Sequence, residues 1–181
     1  MKNPHEQGFS YIDVMIAIVI LMVGILALMS GMSGAVLQAK GQEQQMFAKQ
    51  VAASTMESIM SVKETDPDRL GWKAVGNVGS NVVDGVPQGI FVNGLQNVLP
   101  NPGADNIIGT ADDTGEPVSG LRRQIIITDQ CDPDRPSYNC PTPGLFFVRI
   151  RTVQVIVTYF VGTLQRQEQV TTVLTDYAVT D

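Results

Sequence analysis

Histidine is nearly missing from this 181-residue chain, which contains one, His5. Histidine is the side chain most often used as a general base. The sequence also contains no Gly-rich phosphate loop, nucleophile elbow or zinc-protease motif. Serine and threonine are plentiful, but nothing in the sequence supplies a paired base. These absences favour a protein that is not an enzyme, and no cofactor is expected.

Basic residues are also scarce, since 12 Lys and Arg stand against 18 Asp and Glu and the net charge is −6. A nucleic-acid surface requires clustered Lys and Arg, so nucleic acid is not an expected partner. Charged residues of both signs make up 17% of the chain and hydrophobic residues 44%. This length and composition suit one globular domain with its own core.

The longest apolar run follows Asp13, because the 26 residues of the range 14–39 carry no charge. A helix needs roughly 20 residues to cross a bilayer, so we expect a transmembrane helix with its span at about 12–36. A secretory signal has an apolar core of only about 7 to 15 residues and is cut after that core. The plausible cleavage point here, Gly8, precedes the run, so cleavage would leave the run in the product.

The carboxylate of Asp13 lies at the edge of this run. An acid within a membrane span costs on the order of 2.5 to 3.5 kcal/mol on insertion scales and usually finds a cationic partner. Cleavage after Gly8 would create one, because the new amino group of Phe9 would lie four residues before Asp13. The alternative is an ordinary single-span anchor in which Asp13 only marks the membrane interface.

The segment from Gly8 to Leu21, GFSYIDVMIAIVIL, resembles the N-terminus of the type IV pilin and type II secretion pseudopilin family. The resemblance implies that residues 1–8 are a leader removed by a prepilin peptidase. It also implies that Phe9 becomes the N-methylated first residue. Asp13 would then recruit each subunit by pairing with the terminal amine of a neighbour.

Two features differ from the usual pattern of that family. The usual acid is Glu, so Asp13 is one methylene shorter, and Glu6 and Gln7 occupy positions where a basic residue commonly precedes the Gly. The segment Ala48–Ile59 is similar to the second helix segment of PilV-type minor pilins. The resemblance therefore favours a minor pilin over other members of the family.

A minor pilin would have a defined set of partners and locations. The resemblance implies a single-pass protein of the inner membrane with a periplasmic head, which later reaches the pilus or cell surface. Its partners would be the prepilin peptidase, major and minor pilin subunits, the inner-membrane assembly platform and the lipid bilayer. Two alternatives stay open: a minor pseudopilin of type II secretion, and a membrane-anchored periplasmic binding module or adhesin.

We expect an α+β fold in which a long N-terminal helix, 9–62, has a transmembrane first half and packs by its second half against a C-terminal antiparallel sheet. Asp66-Pro67 should end the helix, because the residue before Pro disfavours helical geometry. The head would be 63–181, with a Gly-rich connection at 71–120 and the sheet at 121–179. A helical stripe marks the packing face; it comprises Phe47, Ala48, Val51, Ala52, Thr55, Met56 and Ile59.

Three β-branched and aromatic segments predict the strands Leu121–Thr128, Phe146–Val161 and Gln165–Val179. Gly162-Thr163 should form the hairpin turn between the last two. Within the second segment the apolar alternation shifts by one residue. This shift predicts a bulge or bend near Arg151 and Thr152.

The two cysteines, Cys131 and Cys140, enclose a turn-rich stretch that a disulfide would hold together. Oxidation is expected if the head lies outside the cytoplasm, and so short a loop would gain roughly 2 to 3 kcal/mol by the chain-entropy estimate. Two free thiols or a metal pair are the alternatives. The metal is disfavoured because there is no CxxC spacing and no nearby His.

An acidic, Gly-rich loop at 103–116 raises the question of calcium, since hard oxygen ligands suit that ion. Asp105, Asp112 and Asp113 would be the ligands. The spacing does not match an EF-hand, and acidic Gly-rich segments are usually solvated turns. A solvated turn without metal is therefore the favoured interpretation.

Overall fold

The computed structural model describes residues 10–65, 71–130 and 148–176. It has an α+β fold in which a long N-terminal helix precedes a four-stranded antiparallel sheet. The chain divides into two units, Met1–Gln42 and Glu43–Asp181. The elements are α1 (Tyr11–Thr65), α2 (Gly71–Ala74), β1 (Val82–Val83), β2 (Val86–Pro87), β3 (Leu95–Asn97), β4 (Arg122–Gln130), β5 (Ile150–Val161) and β6 (Leu164–Thr175).

The N-terminal unit contains the apolar part of α1. Its most apolar 18-residue window has a mean hydropathy of 2.9, and none of that window is buried. The exposed side chains include large aliphatic residues such as Leu26 and Leu28. By length and composition α1 can cross a membrane, as the sequence predicts.

The C-terminal unit contains a sheet of strand order β3-β4-β5-β6, in which every pair of neighbours is antiparallel. The hairpin turn predicted at Gly162-Thr163 is confirmed, because Val161 pairs with Leu164 across these two residues. Gly162 has φ 62, which is the conformation that favours glycine at the first position of a II′ hairpin turn. A second, smaller hairpin joins β1 to β2.

The second half of α1 supplies one wall of the core. The fully or nearly buried helix residues Ala48, Ala52, Ile59 and Val62 belong to the same apolar cluster as the inward side chains of β4 and β5. The predicted stripe is thus largely confirmed. Phe47 is the exception, since it is 41% exposed. One residue is about 100° of helix rotation, so Phe47 lies a quarter turn away from Ala48.

The predicted bulge in β5 is wrong. This strand pairs residue for residue with β4 and with β6, without an insertion. Its core-facing positions are the odd-numbered ones, and Arg151 occupies the first of them with 4% exposure. The apolar alternation of the sequence shows a shift of one residue only because a buried arginine occupies a core-facing position that is usually apolar.

Arg151 joins several parts of the C-terminal unit. Its Nε donates to Asp129 Oδ1 at 2.9 Å, and its Nη2 donates to Asn81 Oδ1 at 2.9 Å. Nη1 donates to the carbonyl oxygens of Trp72 and Val75, and the guanidinium carbon lies 4.4 Å from the centre of the Trp72 ring. Burial lowers the pKa of Arg151, an effect that the Asp129 carboxylate opposes.

Arg123 is a second buried arginine, on the core-facing side of β4. Its Nη2 donates to Asp113 Oδ2 at 2.9 Å, and the two side chains are 4% and 5% exposed. Its Nη1 donates to Thr55 Oγ1 of α1 at 3.3 Å. One residue of β4 therefore links the helix to the acidic loop.

Asn77 closes part of the free side of β4. Its Nδ2 donates to the carbonyl oxygen of Ile125 at 2.9 Å, and its Oδ1 accepts from the N–H of Ile127 at 2.9 Å. The side-chain amide thus takes the place of a neighbouring strand. Beside it, β3 pairs with only three residues of β4, Arg122–Gln124.

Candidate assembly site

Asp13 lies in the first turn of α1, where a carboxylate is stabilised by the positive end of the helix dipole. The helix is capped by Ser10, whose Oγ accepts from the N–H of Ile12 at 3.4 Å. In return the N–H of Ser10 donates to Asp13 Oδ2 at 3.3 Å. This reciprocal arrangement is a variant of the capping box, in which the N–H of Ile12 takes the place of that of Asp13 and Asp stands where Glu is usual. Asp13 therefore has a local structural role, which is separate from the predicted pairing with an amine.

The residues around Asp13 are apolar and exposed. Tyr11 is 77% exposed, Ile12 64% and Val14 45%. An acid in such a position is costly in a bilayer unless a cation pairs with it. The predicted processing residues, Gly8 and Phe9, lie outside the described residues, so the cleavage and the pairing of the Phe9 amine with Asp13 remain predictions.

The acidic loop uses its carboxylates internally. Asp112 Oδ2 accepts from the N–H groups of Ala104 and Asp105, at 2.8 and 3.2 Å. Asp112 Oδ1 accepts from Thr110 Oγ1 at 2.7 Å. These bonds hold the pKa of Asp112 below its ordinary value, with the Thr110 hydroxyl as the largest cause. A depressed pKa means that this stabilisation is present at neutral pH and is lost as the pH falls through the lowered pKa.

The other two candidate calcium ligands are also engaged. Asp105 Oδ1 accepts from the N–H of Ile107 at 2.7 Å. Asp113 Oδ2 accepts from the N–H of Gly109 at 2.9 Å and from Arg123. Within the ranges that the structure describes, no group of three His, Cys, Asp or Glu side chains could hold a metal ion. All three carboxylates accept hydrogen bonds from the loop or from its neighbours.

We therefore expect calcium to leave the protein unchanged. Titration of the full chain in detergent with millimolar CaCl₂ should give no binding heat in calorimetry and no change in melting temperature. The variant Asp112→Asn should melt at a lower temperature than the wild type, by the same difference with and without calcium, because only the loop hydrogen bonds are weakened. A saturable rise in melting temperature that Asp112→Asn removes would instead show that the loop binds calcium.

The two predicted disulfide partners, Cys131 and Cys140, lie outside the described residues, as does the predicted helix-ending pair Asp66-Pro67. The described part of the chain does show what the sequence interpretation missed. The capping box was readable from the spacing of Ser10 and Asp13, and the buried arginines had no such signal.

No family model, curated protein or solved structure matches this chain.

Proposed function

We propose that this chain is a minor pilin subunit, inserted in a membrane through α1, cleaved after Gly8 and incorporated into a type IV pilus. The observation that carries the proposal is the position of Asp13, in the first turn of an exposed apolar helix that can span a bilayer. A long helix that continues into an α+β head agrees with the fold that the pilin resemblance implies.

Assembly would follow from two separate forces. Among the described residues of the N-terminal unit, 10–42, nothing covers the exposed apolar surface of α1. This surface can pack against the same surface of other copies as it leaves the bilayer. That attraction does not fix the position of one helix along its neighbour, because apolar contact is non-directional. The charge of Asp13, paired with the Phe9 amine of a neighbour, would fix the register.

Two other functions share some of these features. A type II secretion pseudopilin would have the same N-terminal chemistry, and recovery of the protein in sheared surface filaments would favour the pilus. A membrane-anchored binding module or adhesin would keep residues 1–8 and act alone. Retention of the leader is thus the feature that separates this last alternative.

The mass of the protein extracted from its native membrane provides the test. We expect a mass that corresponds to loss of residues 1–8 and gain of one methyl group on Phe9. The variant Gly8→Val should keep the leader, since a branched side chain replaces the residue at the cleavage point. A wild-type protein that begins with Met1 would contradict the proposal and support the anchored module.

A further inference from the structure

The hairpin that joins β5 to β6 has an apolar tip. Fourteen consecutive residues, 152–165, carry no charge, and they include the turn between the two strands. Phe160 is 46% exposed and Leu164 63%. Leu164 pairs with Val161, the residue after Phe160, so the side chains of Phe160 and Leu164 lie on opposite faces of the sheet. Both faces of the tip therefore present a large apolar side chain to the surroundings.

The tip belongs to the end of the C-terminal unit at which α1 enters. Gln45, near the start of this unit, donates to Glu168 Oε1 at 2.7 Å. The chain that follows α1 contacts the other end of β5, where the Trp72 ring lies 4.4 Å from the guanidinium carbon of Arg151. Glu168 pairs with Val157, which is six residues along β5 from Arg151. Within this unit α1 therefore runs from the hairpin end of the sheet toward the opposite end.

Connectivity keeps the hairpin end of the unit close to the membrane in a chain that is inserted through α1. The uncharged run ends at Ala39, and the C-terminal unit begins at Glu43. Four residues of chain span at most about 14 Å in any conformation. Leu164 is four residues of β6 before Glu168, or about 13 Å at about 3.3 Å each. The tip and the point of entry of α1 thus belong to the same end of the unit.

The side chains of the tip suit the boundary between lipid headgroups and acyl chains. Phe and Leu are typical of protein surfaces that enter this boundary by about 5 to 10 Å. Arg166 is exposed and lies two residues from Leu164, where a cation is attracted by anionic lipids. Single exposed apolar residues are common on protein surfaces. Here two of them flank one uncharged turn, with a cation behind them.

We propose that the hairpin tip, residues 160–165, inserts into the headgroup boundary of the bilayer that α1 spans, with Phe160 and Leu164 at the edge of the acyl chains and Arg166 among the phosphate groups. The free peptide groups of the turn require water or headgroup atoms, so the insertion is shallow. The C-terminal unit would have a second attachment to the membrane in addition to α1. This inference rests on membrane insertion through α1, which is part of the proposed function, and not on leader cleavage or on a pilus.

Tryptophan substitution in proteoliposomes of the full chain tests this contact. Phe160→Trp and Leu164→Trp place a probe on each face of the tip. Val173→Trp is the matched control, because Val173 is 55% exposed and lies on the same face as Phe160, toward the other end of β6. Leu26→Trp, in the apolar run, reports insertion of α1. Every variant retains Trp72, so wild type sets the baseline.

The quenchers are phospholipids brominated either near the headgroup or near the end of the acyl chain. They are present in both leaflets, so the orientation of the protein does not affect the result. We expect bromine near the headgroup to quench the added emission of both tip variants at least about threefold more than that of Val173→Trp. Bromine near the chain end should quench the tip variants less than Leu26→Trp. All the substituted sites are exposed, so the urea midpoint of the C-terminal unit should stay that of wild type.

The variants separate failure of this inference from failure of the proposed function. Quenching of Leu26→Trp without quenching of the tip variants would overturn the tip contact and leave insertion through α1 intact. Equal quenching at 164 and 173 would also overturn it, because the hairpin tip would then have no preference for lipid. Absence of quenching in Leu26→Trp would overturn insertion through α1, and with it both this inference and the proposed function.

Discussion

Replacement of Arg151 by alanine is expected to lower the free energy of unfolding of the C-terminal unit by about 3 to 5 kcal/mol, the range for loss of one partner from a buried ionic network. A domain of ordinary stability has only about 5 to 15 kcal/mol in total. Most of the expected loss comes from the Trp72 and Val75 carbonyls and Asn81, whose donor disappears. Asp129 contributes less, since its side chain is 47% exposed.

Urea denaturation of the full chain in detergent, followed by tryptophan fluorescence, measures this effect. Trp72 is the only tryptophan and lies against the Arg151 guanidinium, so it reports on the region that the substitution changes. Arg122→Ala is the matched control, because Arg122 is an exposed arginine of the same sheet. It should change stability by no more than about 0.5 kcal/mol.

Arg151→Lys separates charge from geometry. Lysine keeps the positive charge but has three donors on one nitrogen, whereas the guanidinium has five donors in a planar fork. We expect its midpoint in urea to fall between those of the wild type and Arg151→Ala. If Arg151→Ala unfolded at the same urea concentration as Arg122→Ala, the network would have no role in stability.

Substitution of Asp13 by alanine or lysine is expected to leave membrane insertion intact and to remove the subunit from filaments. Insertion depends on the apolar run, which neither substitution shortens. Incorporation depends, under the proposed function, on the carboxylate that pairs with the amine of a neighbour. The measurement is the amount of this subunit in sheared filaments relative to the amount in the membrane fraction.

The capping box supplies the controls for this experiment. Asp13→Asn keeps an oxygen that can accept from the Ser10 N–H but removes the charge, whereas Ser10→Ala removes the cap and keeps the charge. We expect Asp13→Asn to fail like Asp13→Ala, and Ser10→Ala to be incorporated at a near wild-type level. Normal incorporation of both Asp13→Asn and Asp13→Lys would show that the acid only caps the helix.

The arrangement of elements was predictable because it depends on periodicity. The length of the uncharged run before Lys40 indicates a membrane-spanning helix, and the apolar residues of 48–62 recur at helical spacing. β-Branched residues on both sides of Gly162-Thr163 indicate the last hairpin. Strand ends were less predictable, since β4 continues two residues beyond the predicted Thr128. Pairing with β5 extends to Gln130, and local composition does not contain that information.

The polar core was not predictable for a different reason. The core-facing positions of a strand are predicted from the alternation of apolar and polar residues. A buried arginine such as Arg151 therefore looks like a one-residue shift in that alternation. Its partners come from α2 and the residue that follows it, from Asn81 and from β4, which are brought together only in the folded chain. Asp113, which the sequence interpretation considered as a calcium ligand, binds Arg123 of the strand that follows the loop, and composition alone does not show that this arginine is buried.

The junction of Thr55, Arg123 and Asp113 has a mechanical consequence. Apolar contacts between a helix and a sheet are non-directional, so the two surfaces can slide when the helix is pulled along its axis. Hydrogen bonds weaken steeply when their geometry is distorted, and those of Arg123 tie α1, β4 and the acidic loop at one point. A second tie, from the N–H of Ile108 to Ser58 Oγ at 2.8 Å, lies one helical turn further along. Tension along the second half of α1 would thereby reach the sheet and the acidic loop through bonds that resist sliding.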